Sequence, residues 1–118
     1  MTAVPTEIRY DRASHTLSVQ FDDGARFDLP AEFLRVESPS AEVQGHGPSQ
    51  RVYVGGKRHV GITAIEPVGQ YAVRLVFDDG HDSGIFSWEY LHEVGRDQAS
   101  RWDAYLRGIG DRGLSRDP

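Results

Sequence analysis

Residues 17–24 read LSVQFDDG, and residues 73–80 read VRLVFDDG, an approximate copy offset by 56 positions. In both copies apolar and polar residues alternate with a period of two, which is typical of a half-buried β-strand. An Asp-Asp-Gly turn follows, and Asp23-Gly24 predicts a type I′ hairpin because both residues tolerate positive φ. Two similar units are therefore expected. An ancient duplication and convergent hairpin chemistry both remain open as explanations.

Further strands and a short helix are expected around these two copies. Arg26–Leu29 predicts the partner strand of the first hairpin, and Pro30 suits the start of a helical turn over Ala31–Arg35. Residues 38–50 are rich in glycine and proline and predict a long loop, a kind of segment that is often functional. The other predicted strands are Arg51–Val54, Val60–Glu66 and Tyr71–Phe77.

The last third of the chain predicts two helices. Ser87 can cap the first, which is expected to end at Gly95. The second starts at Asp97 or Ser100, and Gly108, Gly110 and Gly113 stop it. The residues expected to face the core are Trp88, Leu91 and Val94 in the first helix and Ala99, Trp102 and Leu106 in the second.

The predicted fold class is α+β: a small antiparallel, β-rich domain with C-terminal helices packed on the sheet. A single domain is expected over residues 1–118, with a core over about 5–107 and a flexible tail over 108–118.

Composition excludes several classes of function. The chain has 118 residues and no cysteine, which rules out disulfides, thiolate metal sites and cysteine nucleophiles. No apolar run approaches the roughly 18 residues of a membrane span, and the N-terminus lacks a signal-peptide core, so a cytoplasmic protein is predicted. The net charge of −5 argues against nucleic acid or an anionic membrane as the main partner.

One segment is locally basic. Residues 43–60 contain Arg51, Lys57 and Arg58 but no acid, and they also contain His46 and His59. The rest of the chain has 10 basic and 18 acidic residues. A solvated loop and hairpin explains this segment, and a face for an anion or an acidic partner is the alternative.

Three spaced motifs carry a family resemblance: LRVESPSAE at residues 34–42, FDDGH at 77–81 and FSWEYL at 86–91. With them the sequence, from about Pro5 to Leu106, resembles the gamma-butyrobetaine hydroxylase-like N-terminal domain family. In the hydroxylases this domain precedes an iron(II)- and 2-oxoglutarate-dependent jelly-roll domain, and three cysteines and a histidine hold a structural zinc ion. The family's isolated bacterial members are linked to iron–sulfur cluster assembly, which the resemblance implies here.

The family's zinc ligands match Ser38, Ser40, Val43 and His81 of this chain. Hydroxyls are poor zinc ligands at neutral pH and valine cannot coordinate, so the site is expected to be degenerate and no cofactor is expected. A hydroxylase is not expected either, since the chain is too short for a jelly roll and its His81-Asp82 does not form the usual His-x-Asp motif.

The leading hypothesis is a non-catalytic binding or accessory module with a protein partner. Its expected binding residues are Arg35, His46, Arg51, Lys57, Arg58 and His81. One alternative is a metal-binding or metal-delivery protein that uses His46, His81 and a nearby carboxylate, Asp79 or Asp82. The other is a structural subunit of a larger enzyme assembly. The oligomeric state is left open.

Overall fold

A computed structural model describes residues 3–44 and 51–118. Within these ranges the chain forms six strands and four helices. The strands are β1 (Pro5–Asp11), β2 (Thr16–Phe21), β3 (Arg26–Pro30), β4 (Ile62–Val68), β5 (Ala72–Phe77) and β6 (Gly84–Ser87). The helices are α1 (Ala31–Val36), α2 (Ala41–Gln44), α3 (Trp88–Arg96) and α4 (Gln98–Asp111). Two antiparallel sheets, ordered β1-β2-β3 and β4-β5-β6, confirm the α+β class.

The two sheets repeat one another. Each is a meander of three strands followed directly by a helix, α1 after the first sheet and α3 after the second. A register irregularity falls at the same place in each unit, between Pro5 and Glu7 in β1 and between Ile62 and Ala64 in β4. The repeat therefore includes β1, a strand that the alternation in residues 17–24 does not reveal.

The two units also contact each other reciprocally. Arg35 of α1 donates to the Asp79 carboxylate in the turn of the second unit, at 2.8 Å. His92 of α3 lies 2.9 Å from the Asp23 carboxylate in the turn of the first unit. Each helix is thus tied to the Asp-Asp-Gly turn of the other unit.

Both Asp-Asp-Gly turns differ from the predicted type I′ geometry. Phe21 N–H donates to Ala25 C=O at 2.8 Å, so the loop has three residues, and Gly24 has a φ of 90°. Within the described ranges His15 is the only non-glycine residue with positive φ, so Asp23 does not adopt it. A three-residue hairpin loop needs a left-handed conformation only at its last position, where glycine adopts it without steric cost. Gly80 repeats this geometry with a φ of 91°.

The core lies between the sheets and the helices α1 and α3. The inward-facing residues predicted in β2, Leu17, Val19 and Phe21, are confirmed as buried. Ser87 also caps α3 as predicted, since its hydroxyl accepts from Tyr90 N–H at 3.1 Å. One continuous cluster joins both units; its largest members besides those of β2 are Leu29, Phe33, Leu34, Leu75, Phe77, Phe86 and Leu91.

The predicted strand over Arg51–Val54 is wrong, because residues 51–60 form no strand. Their backbone groups bond elsewhere: Val52 N–H donates to Val43 C=O at 2.7 Å, and Val54 C=O accepts from the Tyr105 hydroxyl at 2.6 Å. The next strand, β4, starts at Ile62 rather than at Val60. An alternating sequence such as Arg-Val-Tyr-Val is therefore compatible with an irregular segment that packs against a helix, as well as with a strand that pairs in a sheet.

Helix α4 also differs from its prediction. It continues past Gly108 to Asp111, and its buried face is formed by Tyr105, Gly108 and Ile109, whereas Ala99 and Leu106 are exposed and Trp102 is half-buried. This face of α4 is buried because Tyr105 and Ile109 pack with Val36 against residues 53–54. Helix α3 likewise runs one residue beyond Gly95. In the described ranges no helix combines the length and apolarity needed to cross a bilayer.

The residues after α4, for which a flexible tail was predicted, lie against the 51–60 segment. After α4, Ser115 C=O accepts from Gly56 N–H at 2.8 Å, and Arg116 C=O accepts from Arg58 N–H at 3.0 Å. The Arg116 guanidinium forms two hydrogen bonds with Glu32 of α1, at 2.7 and 2.8 Å. The C-terminal residues therefore hold the 51–60 segment in place.

Gly108 and Gly110 offer a matched pair of substitutions. A Cβ at Gly108 would overlap the Tyr53 ring, whereas one at Gly110 would meet no atom within 4 Å. We expect Gly108→Ala to lower the free energy of unfolding by about 1–3 kcal/mol through overpacking. Gly110→Ala should raise it by about 0.5–1 kcal/mol through helix propensity. Urea denaturation measures both, and equal effects would contradict the close approach of Tyr53.

Candidate functional site

A buried serine–histidine cluster lies where the two units meet. Ser38 follows α1, and His81 follows the Asp-Asp-Gly turn between β5 and β6. Ser38 Oγ is 2.9 Å from His81 Nε2, and Ser40 Oγ is 3.4 Å from the same nitrogen. Ser38 is 0% exposed and His81 5%, and Val43 of α2 is also buried. The fold therefore brings together Ser38 and His81, which are 43 positions apart in the sequence.

Close packing encloses this cluster. A Cβ at Gly84 of β6 would lie 2.5 Å from Ser38 Oγ, so only glycine leaves room for the serine side chain. Gln44 of α2 donates to Ser38 C=O at 2.9 Å, and the Tyr90 hydroxyl donates to Glu37 C=O. The backbone after α1 is thus held from two sides by side-chain donors.

The donor set of this cluster does not fit a zinc ion. Among the described residues it offers one imidazole and two hydroxyls, and the hydroxyls are 3.4 Å apart and bonded to the imidazole. A structural zinc ion takes four thiolate, imidazole or carboxylate ligands. In residues 3–44 and 51–118 no three His, Asp or Glu side chains gather as metal ligands. His46 lies outside the described residues, so a site formed by His46 and His81 stays a prediction.

Asp79 fixes the turn that carries His81. Its Oδ1 accepts from His81 N–H at 3.0 Å, and its Oδ2 accepts from Arg35 Nε at 2.8 Å and lies 2.7 Å from Lys57 Nζ. Burial favours the neutral acid, but the hydrogen bonds from Lys57, His81 N–H and Arg35 outweigh it and lower the pKa of Asp79 to about 2. This carboxylate therefore joins α1, the 51–60 segment and the turn.

The depressed pKa of Asp79 predicts a pH dependence of stability. In the range between its ordinary pKa of 3.8 and about 2, the folded state binds fewer protons than the unfolded state. The stabilisation is therefore complete above pH 4 to 5 and is lost as the pH falls towards 2. We expect Asp79→Asn to cost about 1–3 kcal/mol at pH 7 and much less at pH 2. Urea denaturation across this range measures it, with the exposed Asp82→Asn as control; a cost independent of pH would contradict this role.

A second charged group, fully buried, holds α1 against α4. Glu37 is 0% exposed, and its carboxylate accepts from Arg51 at 2.5 Å and from Arg101 at 2.9 Å. Arg101 also bonds Glu93 of α3 at 2.6 Å. Burial and the neighbouring Glu37 raise the pKa of Tyr90 to about 12, so its phenol stays protonated. Sequence reasoning missed Glu37 and Arg101, because nothing local distinguishes them from surface charges.

The cations that were predicted to form a binding face are engaged within the protein. Arg35 and Lys57 share Asp79, Arg51 pairs with Glu37, and Arg58 pairs with Asp117. Arg58 has the most exposed of these side chains, at 38%. The described cations of the basic segment are thus paired with Glu37 after α1, with Asp79 of the turn and with Asp117 of the tail.

These features define a class: a small α+β domain of two sheet–helix units joined at a buried serine–histidine cluster. The particular family follows from a sequence model described as gamma-butyrobetaine hydroxylase-like, N-terminal, which matches residues 8–92. The chain belongs to this family. The resemblance noted in the motifs is therefore confirmed.

Solved structures of similar proteins agree with this assignment. Two solution NMR structures share 49% and 47% identity with the chain, with TM-scores of 0.87 and 0.86. The alignments cover 100% of this chain and 93% of the first protein, and 99% of this chain and 87% of the second. A crystal structure of a protein of unknown function from Acidithiobacillus ferrooxidans, of the DUF971 family, shares 42% identity over 77% of this chain and 91% of that one, with a TM-score of 0.64. No functionally curated protein matches the sequence.

Proposed function

We propose that this chain is a non-catalytic binding module that acts in the cytoplasm on a protein partner. One observation carries the proposal: the imidazole at the family's zinc position is buried and bonded to hydroxyls. Such a group stabilises the junction of the two units, and among the described residues it is not presented to solvent as a catalytic histidine would be. The process that the family resemblance implies, iron–sulfur protein maturation, is the first in which to look for the partner.

The surface around the 51–60 segment is the best candidate for binding that partner. The segment is irregular, and it is bordered by α4 and the tail. Val52 is 46% exposed, Leu114 of the tail 42% and Leu106 of α4 37%, and Arg58 lies in the same segment. We call these four residues the segment face. Exposed apolar side chains on this segment, on α4 and on the tail, together with the partly exposed Arg58, would suit a protein partner with an apolar centre and an acidic edge.

This surface differs from the basic face that the sequence suggested. Arg35, Arg51 and Lys57 stabilise the fold through their ion pairs, so changing them would alter the structure as well as any binding. Val52 and Arg58 are better probes, since Val52 is exposed and Arg58 bonds only with tail residues among its described partners.

The test is affinity capture from a lysate with the full chain as bait. We expect Val52→Asp/Arg58→Glu to lose the partner, while Arg26→Glu, which changes an exposed arginine of β3, retains it. Thermal unfolding of both variants verifies the fold. Equal capture by both variants would show that the segment face is not the binding surface. If the wild-type chain captures no protein reproducibly, the binding-module proposal fails.

A further inference from the structure

A second histidine lies in a different polar cleft, where the ends of the two sheets approach each other. The cleft is open to solvent, with a volume of about 360 Å³, and Tyr10, His15, Gly61 and Asp78 are among the residues that line it. Tyr10 and His15 belong to the first unit, and Gly61 and Asp78 to the second. None of these residues takes part in the serine–histidine cluster.

His15 is held in one tautomer. Its Nδ1 lies 3.1 Å from Val60 C=O, and because a carbonyl oxygen only accepts, Nδ1 carries the proton. In the neutral ring Nε2 therefore has a free lone pair. A hydrogen bond from the other ring nitrogen to a carbonyl orients an imidazole that binds a metal. The residue also has a φ of 52°, an unfavourable conformation of the kind that occurs at functional sites.

Gly61 keeps a small space open in front of this imidazole. A Cβ on Gly61 would lie 3.1 Å from Asp78 Oδ2, 3.2 Å from the Tyr10 hydroxyl and 3.7 Å from His15 Cε1. The Tyr10 oxygen already accepts from Ile62 N–H at 3.0 Å, which fixes its position. A metal bound to Nε2 lies about 3 Å from Cε1, so small side-chain rotations bring these atoms into coordination range.

Asp78 is the acidic residue among those that line the cleft, and Arg12 is the basic one. The Asp78 carboxylate forms no ion pair with any residue in the described part of the chain, whereas Asp78 N–H is fixed by Gly61 C=O at 2.9 Å. An imidazole nitrogen, a carboxylate oxygen and a phenol oxygen form a mixed donor set that suits divalent zinc or nickel.

We infer that His15 and Asp78, with Tyr10 beside them, form a binding site for a divalent first-row transition metal such as zinc. Water completes the coordination sphere, since the cleft is open and only two side chains are strong ligands. The bound ion links the first unit to the second at a point away from the family's zinc position. This inference does not depend on the proposed protein partner.

The test is titration of the full ¹⁵N-labelled chain with zinc sulfate, followed by NMR and calorimetry. We expect saturable one-to-one binding below roughly 1 mM, with the largest shifts at His15, Gly61 and Asp78. His15→Asn should weaken binding at least about tenfold, and asparagine tolerates the positive φ at this position. Asp78→Asn should have a similar effect, and Gly61→Ala should weaken binding by filling the space.

His92→Asn is the matched control, because it removes a histidine that also lies beside a carboxylate. It should bind zinc as the wild-type chain does. Unchanged affinity of both His15→Asn and Asp78→Asn would overturn the inference, as would shifts centred on His81 or the absence of saturable binding. Thermal unfolding of each variant separates loss of the site from loss of the fold.

Discussion

The triple variant Ser38→Cys/Ser40→Cys/Val43→Cys should bind one zinc ion at least about a thousand times more tightly than the wild-type chain. The oxygens of Ser38 and Ser40 are 3.4 Å apart and lie 2.9 and 3.4 Å from His81 Nε2. Ligand atoms around a tetrahedral zinc ion are about 3.5–3.8 Å apart, so thiolates at these positions need only a small expansion. If the variant binds as expected, the chemistry of the donors rather than the placement of Ser38, Ser40 and His81 is what distinguishes the natural chain from a zinc protein.

Competition with a chromophoric chelator measures this gain directly. The same triple variant with His81→Ala is the control, because it has the thiols but lacks the fourth ligand. Zinc at a thousand times its dissociation constant should also stabilise the triple variant by about 4 kcal/mol in thermal unfolding. A triple variant that binds no better than its His81→Ala control would show that these positions do not converge as the structure has them.

Glu37→Ala should be the most destabilising single substitution considered for this domain, with a loss of about 3–5 kcal/mol. The wild-type carboxylate is fully buried between Arg51 and Arg101. Its removal leaves Arg51 without its acidic partner and Arg101 with Glu93 alone, in a poorly hydrated place. The loss of a surface ion pair has no comparable cost. The 51–60 segment should loosen first, since Arg51 ties it to α1.

Urea denaturation followed by circular dichroism measures this loss. Glu66→Ala is the matched control, because Glu66 forms its ion pair with Arg74 on an exposed part of the sheet. That variant should lose only about 0–1 kcal/mol. Similar losses for both variants would mean that the buried pairs contribute no more than surface pairs do.

The internal repeat bears on the origin of the domain. Hairpin chemistry alone explains why both units contain an Asp-Asp-Gly turn, but it does not explain the reciprocal contacts of Arg35 with Asp79 and of His92 with Asp23. Those contacts need the same arrangement of strands and helix in both units, which favours duplication. The residue after each turn then diverged: His81 follows the second turn, whereas Ala25 follows the first.

Local patterns in the sequence were sufficient to predict β2, β5, the positions of their turns and the start of α3. A strand of alternating residues, a glycine with positive φ and a serine cap each depend on neighbours within a few positions of the chain. The motifs around residues 38 and 81 also identified the family. The absence of cysteine was readable at the same level, since it depends only on composition.

Tertiary structure alone decided what each charged residue does. Arg51, Lys57 and Arg58 form a basic run in the sequence, yet their acids come from residues 37, 79 and 117. The same holds for the 51–54 segment, whose alternation suits a strand but whose backbone bonds with α2 and α4. Ion pairs and the packing of this segment depend on residues far apart in the chain. The local pattern of apolar and polar residues does not indicate which distant residue a side chain will contact.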